Sequence, residues 1–176
     1  MPVLIRDAAP GDIPAIAAIY ADEVRSRVNT YEIDPPDAAE MLRRMETLRG
    51  GGFPYFVAER EGAVVGYSYA GPFRTRAAYR WVVENSVYVA EGAQGGGIGA
   101  ALLEALVAAC SERGFRQMVA VIGEVANTAS VQMHKRAGFT HIGTFPGIAF
   151  KHGRWLDTVF MQRALGAGNT EPPDDG

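Results

Sequence analysis

The chain has 176 residues, enough for one domain that buries roughly 70% of its unfolded surface. Apolar residues make up 48% and charged residues 21%, as in globular chains, and a formal charge of −3 leaves no basic footprint for nucleic acid. No apolar run reaches membrane-span length, and residues 1–7 lack the basic start and long apolar run of a signal peptide. The single cysteine, Cys110, cannot form an internal disulfide, so a cytoplasmic protein is expected.

Residues 3–6 read as a first strand. A helix follows: Pro10 suits its first turn, Asp12 lies near its positive end, and Ile13, Ile16, Ala17, Tyr20 and Val24 recur at helical spacing. Beyond Asn29, Thr30 and Tyr31 and the pair Pro35 and Pro36, a second helix spans 37–48, with Met41, Leu42 and Met45 as its stripe and Gly50, Gly51 and Gly52 as its stop. Segments 55–59 and 64–73 are strands paired around the turn 60–62. An arginine-rich connection, 73–80, leads into a strand over 81–89. After a glycine-dense turn comes an amphipathic helix, 99–113, closed by Gly114. Cys110 falls on its Leu102, Leu103, Leu106 and Val107 face, which gives it a packing role. Residues 118–122 form a short apolar strand of the buried parallel kind. Residues 127–137 form a helix ended by Gly138, and 140–150 and 155–162 are strands around the turn 151–154. One domain over 1–165 is expected, then a loose Gly-, Pro- and Asp-rich tail over 166–176. The order β-α-α-β-β-β-α-β-α-β-β predicts an α/β fold, a mixed sheet with helices on its faces.

The turn Gln94-Gly95-Gly96-Gly97-Ile98-Gly99-Ala100 carries the most information. Glycines between a strand and a helix leave backbone N–H groups unscreened at the positive end of the helix, which suits a pyrophosphate. A P-loop is excluded because no Lys-Ser or Lys-Thr follows. A G-x-G-x-x-G dinucleotide turn is excluded because Ala100 stands at its third glycine and no acidic ribose partner follows about 20 residues on. Gln94-x-x-Gly97-x-Gly99 does fit the Q/R-x-x-G-x-G/A pattern with which GCN5-related N-acetyltransferases hold acetyl-CoA.

Four further stretches narrow the resemblance. They are Tyr79-x-Trp81-x-Val83-Glu84-x-Ser86-Val87-Tyr88-Val89, Val119-Ala120-Val121-Ile122-Gly123, Asn127-x-x-Ser130-Val131-x-x-His134-x-x-x-Gly138-Phe139 and Phe150-Lys151-His152-Gly153-x-Trp155-x-Asp157. In this order they resemble phosphinothricin N-acetyltransferases and the related methionine sulfoximine acetyltransferases. The resemblance implies the GNAT fold with a splayed central sheet, acetyl-CoA as co-substrate, a primary amine as acceptor and a homodimer.

Acetyl transfer needs a neutral amine, and alkyl amines, with a pKa on the order of 9 to 10, are mostly protonated at neutral pH. Glu84 interrupts an apolar strand, and the resemblance gives it the general-base role, directly or through water. It also implies that Val87, Tyr88 and Val89 pair through their backbones with the pantetheine arm, that residues 94–100 hold the pyrophosphate, and that Ser130 adjoins the coenzyme. Asn127 suits two roles, capping its helix and contacting the arm. His134 stands where much of the superfamily has a tyrosine acid; it either donates a proton to the thiolate or orients the coenzyme. Arg74, Thr75 and Arg76, with Glu84, Asn85 and Ser86, are the expected acceptor contacts, since a guanidinium fork matches a carboxylate or phosphinate. Asn29, Thr30 and Tyr31 are expected to close the acceptor pocket. His134, His141 and His152 share no ligand spacing, so no metal is expected. Acetylation of a peptide N-terminus or other amine, and a non-catalytic acetyl-CoA sensor, remain alternative readings.

Overall fold

The computed structural model describes residues 2–124 and 126–174. Its elements follow the expected order, with strand and helix ends within two residues of those read from the sequence. They are β1 (Leu4–Asp7), α1 (Ile13–Ser26), α2 (Ala38–Gly50), β2 (Tyr55–Arg60), β3 (Ala63–Pro72), β4 (Val82–Val89), α3 (Ile98–Glu112), β5 (Gln117–Gly123), α4 (Thr128–Arg136), β6 (Thr140–Lys151) and β7 (Arg154–Ala164). Single 3₁₀ turns, Pro10–Asp12 and Ala77–Tyr79, precede α1 and β4. Asp12 accepts from Arg6 Nη1 and Nη2 at 2.7 and 2.8 Å and from the Ala9 N–H at 2.8 Å, so it anchors β1 to the helix start.

The seven strands form one sheet in the order β1-β2-β3-β4-β5-β7-β6. Every neighbouring pair is antiparallel except β4 and β5. Strand alternation divides the core in two. Tyr67 and Tyr88, cross-strand partners on β3 and β4, face α1 and α2 and pack with Ile16, Val24, Met41 and Met45. Val83, Met118 and Ala120 face the other way, against Leu103, Leu106 and Cys110 of α3 and Val131 and Met133 of α4. Leu102, Leu103 and Leu106 are fully buried, each worth roughly 1.5–3 kcal/mol relative to exposure. Cys110 is packed as expected, and burial pushes its thiol up to about 12.

Leu165, the last residue of the expected domain, is buried; after it, Gly168 N–H donates to the Leu165 carbonyl at 2.9 Å, and Arg116 Nη2 donates to the Pro172 carbonyl at 2.8 Å.

Candidate active site

The site is made by two strands that part. β4 and β5 pair in parallel only at Val82–Gln117, Val83–Met118 and Glu84–Val119. Beyond that point β3 still holds β4 as far as Val89, and β7 holds β5 as far as Gly123. Each strand therefore keeps its outer neighbour while the inner edges open into a V. At the apex the Asn85 side chain replaces the missing ladder bond: Nδ2 donates to the Val119 carbonyl at 3.2 Å.

A cleft of about 610 Å³ runs through the V. Glu84, Asn85, Ser86, Val87, Tyr88, Val89, Gln94, Gly95, Gly97, Ile98, Gly99, Ala100, Asn127, Ser130 and His134 all line it, so residues scattered over 51 positions meet at one cavity. Gly96 belongs to the same turn but does not line the cleft, and neither do Arg74, Thr75 and Arg76. Those last three are exposed in the connection ahead of β4. The Arg74 guanidinium lies over the rings of Phe73 and Tyr79, 5.2 and 5.8 Å from their centroids.

The turn has the geometry its glycines allow. Gly95 has φ +80°, and Gly97, the N-cap of α3, has φ +78°, where a Cβ would be strained. The N–H groups of the first turn of α3 thus open toward the mouth of the cleft without a side-chain cap. At the far end of β5, a Cβ at Gly123 would overlap the Val28 carbonyl, so only glycine lets the α1–α2 connection cross there.

That connection is stapled down. Tyr20 Oη and Thr30 Oγ1 are 2.7 Å apart, Lys151 Nζ donates to the Thr30 carbonyl at 2.7 Å, and Tyr31 bonds Thr158. Asn29 Nδ2 donates to Glu23 at 2.6 Å, and Asn29 Oδ1 accepts from Asn127 Nδ2 at 2.6 Å. Asn127 Oδ1 meanwhile accepts from the Ser130 N–H at 3.3 Å and caps α4. Asn127 therefore caps its helix with its oxygen and reaches across the cleft with its nitrogen.

Glu84, Asn85 and Ser86 were grouped together in the sequence, but Asn85 does not share their face. A strand alternates sides, so Glu84 and Ser86 lie with Tyr69 and Tyr88 beneath α1 and α2, and Asn85 points to α4. Asn85 Oδ1 stands 3.0 Å from His134 Nε2, and His134 Nδ1 stands 2.9 Å from the Ser130 carbonyl. The imidazole thus lies between two acceptor oxygens, which favours protonation. Its burial disfavours the charge, and burial is the larger effect, holding its pKa below the ordinary value. Burial raises the Glu84 carboxyl above the ordinary carboxylate value, and no charged partner offsets it among the described residues.

Three charged cleft residues escaped the sequence reading. Glu23 is buried at the end of α1, and its pKa is raised by desolvation in spite of Asn29, Arg27 and Lys151. Arg27 and Arg136 are the arginines of the lining. Glu23 was detectable in principle: it continues the stripe Ile16-Ile19-Tyr20, a carboxylate on a buried face, as Glu84 is on its strand. Arg136, solvent-facing after Lys135, carried no such signal.

This fold and cleft define an acetyltransferase of the GNAT class. The family model described as Acetyltransferase (GNAT) domain matches residues 5–160, and the chain belongs to that family. It is 45% identical over 170 residues to phosphinothricin N-acetyltransferase of Alcaligenes faecalis, covering 97% of this chain and 86% of the relative. It is 39% identical over 173 residues to L-methionine sulfoximine/L-methionine sulfone acetyltransferase of Pseudomonas aeruginosa, covering 98% of this chain and all of the relative. The solved phosphinothricin acetyltransferase of Sinorhizobium meliloti, in complex with acetyl-CoA, superposes with a TM-score of 0.97 at 49% identity, over 100% of this chain and 95% of that one. The chain is thus an N-acetyltransferase of the phosphinothricin and methionine sulfoximine type. No helix among the described residues is long and apolar enough to cross a membrane, and no group of three or more His, Cys, Asp or Glu among them could hold a metal ion.

Proposed function

We propose that this chain transfers the acetyl group of acetyl-CoA to the α-amino group of a small amino-acid-like acceptor, with Glu84 as general base. The observation that carries the reading is the parting of β4 from β5, with Glu84 at the apex on the α1–α2 side and the Gly95–Gly97 turn at the mouth.

Acetyl-CoA would supply the acyl group as a thioester open to attack by an amine. The inner backbone edge of Val87, Tyr88 and Val89 offers pairing groups to the pantetheine arm as a sheet edge does to an added strand. The N–H groups of 94–100 take the pyrophosphate, and Asn127 and Ser130 stand beside the arm at the start of α4. Glu84 removes the acceptor's ammonium proton, directly or through water. Its raised pKa brings it nearer the working range of a base at neutral pH. His134, on the other side of the strand, has its ring nitrogens held by Asn85 and the Ser130 carbonyl and orients the coenzyme, and the departing thiolate takes its proton from water.

Ser86 adjoins the acceptor. Arg74, Thr75 and Arg76 flank the entrance to β4, and we assign them the acceptor's acidic group. Arginine side chains are long enough to swing from the rim to a bound ligand. A second copy of the chain is proposed to cover Ile142, Phe145, Ile148, Phe150 and Trp155, which are 50–68% exposed on β6 and β7.

The test is thiol release from acetyl-CoA across a panel of amines. Phosphinothricin and methionine sulfoximine are expected to react, and their decarboxylated analogues to react poorly. Equal reaction of the decarboxylated amines would remove the acceptor class. No thiol release with any amine would leave a coenzyme-sensing domain.

A further inference from the structure

We propose that Arg27, at the end of α1, is a pyrophosphate-binding residue of the acetyl-CoA site; this rests on the reading of the cleft given above. Arg27 comes from the opposite side of the cleft to the glycine turn, and nothing in the turn's motif points to it. Its backbone is fixed at both ends. The N–H donates to the Glu23 carbonyl at 3.0 Å, and the carbonyl faces His152 Nε2 at 3.3 Å.

The guanidinium reaches the turn itself. We assign the Gln94 amide with its oxygen toward Arg27, because the opposite orientation would set an NH₂ group against two guanidinium donors and keep only a long 3.4 Å contact from Nε2 to the Val89 carbonyl. In that orientation Gln94 Oε1 accepts from Arg27 Nη1 at 2.7 Å and from Nη2 at 3.0 Å. Only the inner nitrogen, Nε, is turned to a carboxylate, Glu23 Oε1 at 3.5 Å, which is long for a strong pair. Both terminal nitrogens are therefore presented at the first residue of a turn whose own N–H groups are uncapped.

The present acceptor is a neutral amide oxygen. A phosphate oxygen adds the attraction of opposite charges to the same donors, and a fork of two donors matches two phosphate oxygens. Exchange of Gln94 for phosphate is thus favourable and needs only a side-chain rotation. The location also suits the charge problem. The chain carries −3 overall, so a polyanionic coenzyme needs local cations, and Arg27 and Arg136 are the arginines that line the cleft. Arg27's guanidinium is about one-third exposed, which leaves it accessible to a ligand while limiting screening.

Residues 94–100 approach the phosphates from the α3 side, and Arg27 adds a contact from the end of α1.

Binding calorimetry on purified Arg27→Gln and Arg27→Lys tests the assignment, with coenzyme A, 3′-dephospho-coenzyme A and pantetheine as probes, pantetheine being read by displacement. Arg27→Gln is expected to weaken coenzyme A and 3′-dephospho-coenzyme A alike by tenfold or more and to leave pantetheine unchanged. Arg27→Lys is expected to lose less, because it keeps the charge without the fork. Unchanged affinity for coenzyme A in Arg27→Gln would overturn the proposal. So would an equal loss for pantetheine, which would mean a damaged cleft, or a loss confined to coenzyme A, which would place the contact at the 3′-phosphate. Failure of the unsubstituted protein to bind coenzyme A would instead remove the acetyl-CoA reading itself.

Discussion

Glu84 and Asn85 are chain neighbours whose side chains work on opposite faces of the sheet. Glu84 lies under α1 and α2, and Asn85 bonds β5 through Val119 and α4 through His134. The two-residue period of a strand is what divides them. Because β4 leaves β5 at this step, the proposed function has the same short segment meet the acceptor from one side and the coenzyme from the other.

The half-buried carboxyl of Glu84 has a stability consequence. Its folded pKa is raised above the unfolded value by desolvation, so the native state holds this proton more tightly. The associated stability is present below the unfolded pKa and is lost as pH rises through the folded one. Glu84→Gln is therefore expected to melt at or above the temperature of the parent at neutral pH, and the difference should vanish in acid. Thermal melts across that window check the sign.

Asn85→Leu keeps the volume and removes both polar contacts. It leaves the Val119 carbonyl without the side-chain bond that ends the ladder and His134 Nε2 without a partner. Buried groups left this way cost about 1–3 kcal/mol each. A fall in stability is expected, together with weaker acetyl-CoA binding as the apex of the V loosens. Asn85→Asp, which keeps the acceptor oxygen facing His134, should raise the imidazole pKa. Titration of the His134 ring by NMR would read that shift directly and check the contact between the two side chains.

The arginines of the connection ahead of β4 give a kinetic signature if they bind the acceptor. If Arg76 engages the acceptor's acidic group, Arg76→Ala should raise the acceptor KM roughly tenfold, as for loss of a charge-assisted contact, with acetyl-CoA affinity unchanged. Arg74→Ala should act in the same direction but also release Phe73 and Tyr79 from the guanidinium. Steady-state kinetics with each substrate varied in turn separates the two effects.

Much of this was legible in the sequence because local chemistry encodes it. The turn was visible since only glycine tolerates φ near +80° at Gly95 and Gly97, and Glu84 was visible as a charge in an apolar strand. The element order followed from periodicity and turn residues. Contacts that join distant segments were not legible. Nothing local in Asn29 and Asn127 says that they bond across 98 residues, and Arg27 looks like an ordinary helix-end cation until Gln94 is placed beside it. The face of Asn85 is legible in the sequence, because the two-residue period of a strand sets it opposite Glu84 and Ser86. The Arg74–Arg76 segment shows the opposite limit: composition suggests a ligand contact, yet its place outside the cleft lining depends on the path of the whole 73–81 connection.

The central claim is that Glu84 takes the acceptor's proton, and Glu23 is the control, since it is a second buried carboxylate in the same cleft. The most direct measurement is the pH dependence of kcat/KM for the amino-acid acceptor in the parent, Glu84→Gln and Glu23→Gln. The parent should show an acid limb above the ordinary carboxylate range, as its raised pKa requires. Glu84→Gln should lose that limb and fall in rate by on the order of 10² to 10⁴, while Glu23→Gln retains it. Near-normal turnover in Glu84→Gln with the limb intact, or loss of the limb in Glu23→Gln instead, would contradict the account.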